Sequence, residues 1–463
     1  VRIYNTLPGK KEKFVPQEAG IVKMYVCGIT PYDKSHLGHA RTFVSFDFIR
    51  RYLLFKGFKV TFVQNITDID DKIIKRAKQR KVLPLELSKK YSKMYEKEEK
   101  ELGIMKPDFA PKVSENIPKI IELIKRIEKN GFCYTTKSGV YFDVLKFKEY
   151  GKLSHQSTEK IRAGARVEVD ETKKNPHDFA LWKLEEEPGA TFDSPWGKGR
   201  PGWHIECSAM STSILGDTLD IHGGARDLIF PHHENEICQS EAGTGKPFVK
   251  YWLHTGFLTV NKEKMAKSLG NFITIEEGLK KYKSQQIRMF FALSHYRSPI
   301  DFSEDAICAA GNSLNTLHSA IKAARTYPLP AKGSGNLQKE AINAEKEFVA
   351  AMDDDFDSPN AFAALFLLAK RISGECSDGT AGKNEALIAA EKLEKLLSVF
   401  GLGPKEKEKK GINKKKIEEM LRKRDEAREK KDYAASDKIR DELEKQGIVV
   451  EDRKDGKTVW RNK

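Results

Sequence analysis

From Ile21 to Val26 the chain carries a short apolar run rich in β-branched residues and without helical period. Such a run predicts a buried strand, and Gly28, Thr30 and Pro31 are the residues expected to end it. The spacing then changes. Ala40, Val44, Phe48 and Tyr52 recur every four residues, which places them on one face of a helix starting near Gly38. A second strand is predicted over residues 59–64, with helices over 70–78 and 85–102. This strand–helix–strand order predicts a parallel sheet covered by helices, with ligands bound beyond the carboxyl ends of its strands.

Further along the pattern breaks and resumes. Residues 114–200 read as a helix, short β pieces and a loop-rich stretch, an insertion between two halves of the sheet domain. Strands are predicted over 218–222 and 251–260, with a helix over 230–240 between them. A polar loop over 261–271 leads to two helical stretches ending at Leu293. Ala- and Leu-rich patterns over 304–400 predict a helical bundle. Gly401 to Lys416 reads as a hinge, followed by two amphipathic helices and a hairpin around Asp455-Gly456. The expected architecture is α/β: a Rossmann-like parallel-sheet domain over residues 1–300 with an inserted connective domain at about 114–200 and a lysine-loop region at about 261–300. A bundle over 301–400 and a small mixed α/β module over 411–463 complete it.

Composition sharpens this. At roughly 150 residues per domain the chain holds about three domains. A formal net charge of +15 points to a polyanionic partner, nucleic acid first among them. The six cysteines contain no Cys-x-x-Cys pair, which fits a reducing compartment rather than a disulfide framework. No long apolar run predicts a membrane span and no signal-peptide core opens the sequence, so a cytoplasmic protein is expected.

Three stretches carry candidate chemistry. His36 and His39 flank Gly38 where a strand has turned into a helix N-terminus, a place that attracts anions and lets a flat ring approach the backbone. Lys264 and Lys267, three apart in a Gly- and Asn-ended loop, can bring two ammonium groups to a triphosphate and stabilise a leaving pyrophosphate. His232 and Glu236 lie one helical turn apart and can hold two positions of a zinc ion. Cys27 and Cys207 could supply two thiolates, though spacing alone leaves that open. Two look-alikes fail: Gly243-Thr244-Gly245-Lys246 lacks the spacing and hydroxyl of a P-loop, and His233-Glu234 has no second histidine three residues on.

The pair His36-Leu37-Gly38-His39 and Lys264-Met265-Ala266-Lys267-Ser268 resembles the paired signature of class I aminoacyl-tRNA synthetases. The stretches 24–30, 65–72, 202–208 and 230–236 narrow the resemblance to the cysteinyl-tRNA synthetases, from about Ile3 through Trp460. The resemblance implies a two-step reaction: the carboxylate of L-cysteine attacks the α-phosphate of ATP, accompanied by Mg2+, and the cysteinyl group then passes to the cysteine tRNA. It implies one Zn2+ per chain on Cys27, Cys207, His232 and Glu236. It implies ATP contacts from His36, Gly38, His39, Lys264 and Lys267, with Asp227 on the ribose. Gly28, Thr67 and Trp203 are implied to line the cysteine pocket, residues 411–463 to read the anticodon, and the chain to act as a monomer. Two positions depart from the pattern: Ala266 replaces the usual serine of the lysine loop, and Ala225 stands where glycine is common after His222-Gly223-Gly224. A related ligase that transfers cysteine to an amino-sugar lacks a C-terminal module like 411–463. A zinc-dependent RNA-binding protein would not need the lysine loop and both histidines.

Overall fold

The computed structural model describes the chain except residues 157–171, 266–270, 405–413, 431, 446–447, 453–457 and 463. It divides into two units, Val1–Gly403 and Pro404–Lys463.

In the first unit, β1 (Arg2–Asn5) and β2 (Lys10–Lys13) pair antiparallel. Then come β3 (Ile21–Ile29), α1 (Leu37–Phe55), β4 (Lys59–Ile66), α2 (Asp71–Arg80), α3 (Pro84–Leu102) and α4 (Ile117–Lys129). Strands β5 (Cys133–Thr135), β6 (Gly139–Phe142), β7 (Phe179–Lys183) and β8 (Arg200–Pro201) form a separate antiparallel sheet within the predicted insertion. The parallel pattern resumes with α5 (Trp203–Leu215), β9 (Leu219–Ala225), α6 (Glu234–Thr244) and β10 (Val249–Thr255). The main sheet has the order β10-β9-β3-β4, all parallel. Residues 107–112 extend its outer edge, with Gln64 N–H donating to Phe109 O at 3.1 Å and Ile66 N–H to Pro111 O at 2.9 Å.

This order sets the position of the site. β3 lies between β4 from the first half and β9 from the second, so the connections depart to opposite sides and leave a crevice at the carboxyl ends of β3 and β9. Alternation along β3 assigns its faces. Val22, Met24 and Val26 pack with α1 into the large core, while Tyr25 and Cys27 join Val63, Cys207, Ile237 and Trp252 on the other face.

A three-stranded sheet of β11 (Leu258–Val260), β12 (Glu263–Lys264) and β13 (Ile300–Phe302) holds the base of the lysine loop. Helices α7 (Ile275–Lys281) and α8 (Ser284–Ala292) follow that loop. Buried charges pin α1 to α8: the Arg288 guanidinium donates to Asp47 Oδ2 at 2.5 Å, and Arg41 donates to Phe291 O and His295 O at 2.8 Å each. Burial alone would raise the Asp47 carboxyl, but Arg288, Arg51 and the Met105 N–H hold it below its ordinary value. Helices α9 (Glu304–Thr326), α10 (Asn336–Asp353), α11 (Ser358–Ser377) and α12 (Lys383–Ser398) form the bundle and share the core of the main sheet.

The second unit contains α13 (Lys414–Glu429), α14 (Tyr433–Lys445) and the antiparallel pair β14 (Ile448–Asp452) and β15 (Thr458–Asn462). Leu421, Leu443 and Val450 form its core. The predicted turn at Asp455-Gly456 and most of the predicted hinge lie outside the described residues.

Three expectations need correction. β3 runs through Gly28 to Ile29 instead of ending at the glycine, because Gly28 N–H is bonded sideways to Asn65 Oδ1 at 2.8 Å. The apolar run from Tyr251 to Val260 is two strands in different sheets, broken at Gly256, where a Cβ would lie 2.3 Å from Ser298 O. The helix expected over 230–240 begins as a π-helical turn, Ile229–His233, with Phe230 non-helical, and becomes α-helical only at Glu234.

Candidate active site

The crevice gathers side chains far apart in sequence. Cys27 comes from the end of β3, Cys207 from α5, His232 from the π turn and Glu236 from the first turn of α6. All four are buried. Their donor atoms lie within 4.8 Å of one another. Cys27 Sγ is 3.9 Å from Cys207 Sγ and 3.6 Å from Glu236 Oε1, and His232 Nε2 is 3.0 Å from Glu236 Oε1. His232 and Glu236 therefore meet as their spacing requires, although His232 precedes the α-helix.

The electrostatics of the cluster suit a cation. Hydrogen bonding from Cys27, with the His232 charge beside it, outweighs burial and brings the Cys207 thiol down to about 6. Burial alone would raise Glu236, yet His222 and His232 hold it at about 2. Burial alone would lower His232, yet Glu236 and Cys207 hold it up at about 10. The proton kept on His232 thus offsets only part of the negative charge of the buried carboxylate and thiolate. Two cysteine sulfurs, an imidazole and a carboxylate gathered within 4.8 Å of one another are a donor set whose chemistry suits zinc, which would take the place of that proton.

The sequence reading missed a histidine array behind this cluster. His222 Nε2 lies 2.9 Å from Glu236 Oε2. His233 Nε2 lies 3.3 Å from Cys27 Sγ, and its Nδ1 is 2.8 Å from His254 Nε2. His254 Nδ1 is in turn 2.8 Å from Thr6 Oγ1. Cys27, His222, His233 and Glu236 form a second group with metal-binding geometry, sharing two members with the first. His204 Nδ1 and His232 Nδ1 are 2.9 Å apart, which leaves His232 Nε2 turned toward Glu236. The only signal in the sequence was the density of histidine between 204 and 254, and spacing does not reveal which of them converge.

The residues expected to line the amino-acid pocket surround this cluster. Trp203 opens α5, is 38% exposed, and stacks on His232 with ring centroids 4.3 Å apart. Gly28 follows Cys27, and a Cβ there would lie 1.6 Å from Asn65 O, so only glycine lets β3 and β4 approach this closely. Thr67 is buried beyond β4, its N–H donating to Ile29 O at 3.0 Å. Asn65 ties the two together, accepting from Gly28 N–H at 2.8 Å and donating to Thr67 Oγ1 at 3.1 Å. Asn65 is a second residue the sequence reading did not single out.

His36 and His39 sit at the N-terminus of α1, and part of their chemistry serves the helix itself. His36 is the N-cap: its Nδ1 accepts from Gly38 N–H at 3.1 Å, while His39 Nδ1 accepts from His36 N–H at 3.3 Å. The two rings stack 3.7 Å apart. Burial, helped by His36 and Lys72, lowers His39 to about 3, so its imidazole is neutral at pH 7 and its Nε2 is positioned as a hydrogen-bond donor.

The lysine loop starts and ends beside this helix terminus. A Cβ on Gly38 would lie 3.2 Å from Met265 Cε. Leu37 N–H donates to Ile273 O at 3.0 Å and Ile275 N–H to Ser35 O at 2.9 Å. Lys264 has its backbone in β12, but its side chain and the whole of Lys267 lie outside the described residues. Asp227 is exposed in a 3-10 turn, Arg226–Leu228, just past the carboxyl end of β9.

Comparison with known proteins gives the family. Residues 13–312 match the family described as the tRNA synthetases class I (C) catalytic domain, residues 347–403 the DALR domain, and residues 414–461 the cysteinyl-tRNA ligase anticodon binding domain. The chain is 46% identical to a cysteine–tRNA ligase of Carboxydothermus hydrogenoformans over 98% of both chains. It is 48% identical to a cysteine–tRNA ligase of Thermococcus gammatolerans, over 100% of this chain and 99% of that one. Among solved structures it resembles a Mycobacterium tuberculosis methionyl-tRNA synthetase in complex with methionyl-adenylate, with a TM-score of 0.62 and 14% identity, covering 83% of this chain and 90% of that one. That last likeness concerns the fold.

Proposed function

The chain belongs to the cysteine–tRNA ligases, a class I synthetase family, and from that premise we propose that it joins L-cysteine to its tRNA through a cysteinyl-adenylate, with zinc selecting the substrate thiol. The observation that carries this reading is the convergence of Cys27, Cys207, His232 and Glu236 beside Gly28, at the same strand ends that face the N-terminus of α1.

Each part of the substrate has a matching group. Trp203, which stacks on His232, Gly28, which follows Cys27, and buried Thr67 are the residues to hold the amino acid beside the donor cluster. At the α1 N-terminus, where the cap takes up the first backbone N–H groups, neutral His39 offers its Nε2–H to phosphate oxygens and the helix dipole favours their charge. Lys264 and Lys267 complement the charge that builds on departing pyrophosphate, and Mg2+ accompanies the ATP. Asp227, exposed beyond β9, accepts from the ribose hydroxyls. Bound on the four donors, zinc supplies a soft site for the substrate as thiolate, which a serine hydroxyl does not match. Shape alone would discriminate by only about 1–3 kcal/mol, as for a methylene-sized change. The second unit, which matches an anticodon-binding family, supports tRNA as the acceptor over an amino-sugar.

The test is ATP–pyrophosphate exchange with cysteine and with serine, followed by transfer of labelled cysteine to tRNA. Cysteine is activated and transferred. Activation of serine within about tenfold of cysteine would refute the selection mechanism.

A further inference from the structure

Helices α2 and α3 fold against each other along an apolar seam in which Ile73, Ala77, Leu87 and Tyr91 are buried, with Tyr32 and Met94 packed at its edge. The outer side of this hairpin is basic. Lys75, Lys81, Lys89, Lys90, Lys93 and Lys100 are all exposed, and none has an ion pair among the described residues. Neighbouring cations are already engaged: Arg76 with Asp33, Lys78 with Glu187 and Lys97 with Glu101. Glu86 and Glu96 are the exposed acids interspersed with the exposed lysines of α3, so the hairpin keeps a net positive charge. On α3 the lysines form a stripe, because Lys89 and Lys93 stand one helical turn apart, a rise of about 6 Å that is comparable to the step between successive phosphates of one strand.

The ridge begins at the mouth of the site. Lys72, in the first turn of α2, holds its ammonium 5.9 Å from the ring centres of both Trp203 and Tyr32. Trp203 stacks on His232 at the donor cluster. The loop between the two helices packs on the inserted segment, where a Cβ on Gly189 would lie 3.4 Å from Leu83. A polyanion lying along the hairpin would thus have one end at the amino-acid site.

We propose that this ridge seats the acceptor arm of the tRNA, its phosphates against the α2–α3 lysines as the 3′ end passes Trp203 into the crevice. The inference rests on the tRNA-ligase reading above. The acceptor arm is the limb chosen because it alone must deliver a hydroxyl to the adenylate, and the ridge adjoins that point.

The test uses the full-length protein with Lys89→Ala, Lys90→Ala and Lys93→Ala combined. Dissociation constants for a cysteine tRNA transcript, and for a minihelix of its acceptor and TΨC stems alone, are measured by fluorescence anisotropy between 50 and 200 mM salt. Three lost phosphate contacts should reduce the slope of log K against log salt by about 2–3 and weaken both RNAs at least about tenfold at low salt. Cysteine-dependent ATP–pyrophosphate exchange should be unchanged, which also shows that the variant folds. Lys59→Ala with Lys246→Ala, at the amino ends of the strands, should leave the slope as it is. An unaltered slope in the triple variant, or loss of full-length tRNA binding with the minihelix unaffected, would overturn the inference. A wild-type protein that activates cysteine but charges no tRNA would instead overturn the reading on which it rests.

Discussion

Asn65→Ala tests whether the pocket is built as described. Asn65 is 2% exposed and uses both ends of its amide, accepting from Gly28 N–H at 2.8 Å and donating to Thr67 Oγ1 at 3.1 Å. Removing it leaves the N–H of half-buried Gly28 without this partner, a loss of about 1–3 kcal/mol. The Thr67 hydroxyl suffers less, because it also bonds the buried Glu206 carboxyl. The two effects together come to about 2–4 kcal/mol. Urea unfolding followed by tryptophan fluorescence reads the stability, and ATP–pyrophosphate exchange reads the KM for cysteine. The reasoning predicts both the destabilisation and a KM raised about tenfold or more, since about 1.4 kcal/mol of lost positioning suffices. Zinc content should be unchanged, because none of the four proposed ligands bonds Asn65. A variant destabilised by less than about 0.5 kcal/mol, with wild-type KM, would refute the argument.

Three further outcomes follow from the packing and the charges. Arg288→Met removes one cationic partner of Asp47 and the donors to Phe400 O and Leu102 O, leaving Arg51 and the Met105 N–H to hold a buried carboxylate. It should cost about 3 kcal/mol or more in urea unfolding. Gly223→Ala places a Cβ 2.2 Å from the buried Phe46 ring and should destabilise by about 1–3 kcal/mol, whereas Gly374→Ala, exposed within α11 with nothing within 4 Å, should stabilise by about 0.4–1 kcal/mol. Burial, with nearby acids, pushes Glu98 and Glu99 up to about 7. A carboxyl raised on folding binds its proton more tightly in the native state, so its contribution is full below about pH 4.5 and fades as pH rises through 7. The Glu98→Gln, Glu99→Gln variant should therefore lose less stability than the wild type between pH 5 and 8 in the same assay.

The strand–helix alternation, the bundle and the His232–Glu236 pair were legible because each rests on local period, whereas Cys27 and Cys207 were assigned only through the family resemblance, since no spacing joins them. What escaped was set by tertiary approach. Gly28 reads as a strand terminator, yet its missing Cβ is there to clear Asn65 O inside the strand. Tyr251 to Val260 has apolar residues on both sides of Gly256, and periodicity does not tell which sheet each half will join. His222, His233 and His254 lie on three elements, and only the parallel pairing of β9 with β10 and the π turn between them bring their rings together. His36 was read wholly as a ligand group, whereas its Nδ1 closes the helix cap, a role its position before Leu37 and Gly38 permits but does not announce.

X-ray absorption at the zinc edge of the purified protein tests the central claim most directly. The account predicts one zinc per chain with two sulfur donors, a third on addition of cysteine, and no change on addition of serine. A fully active preparation without the metal, or a sulfur count indifferent to cysteine, would contradict it.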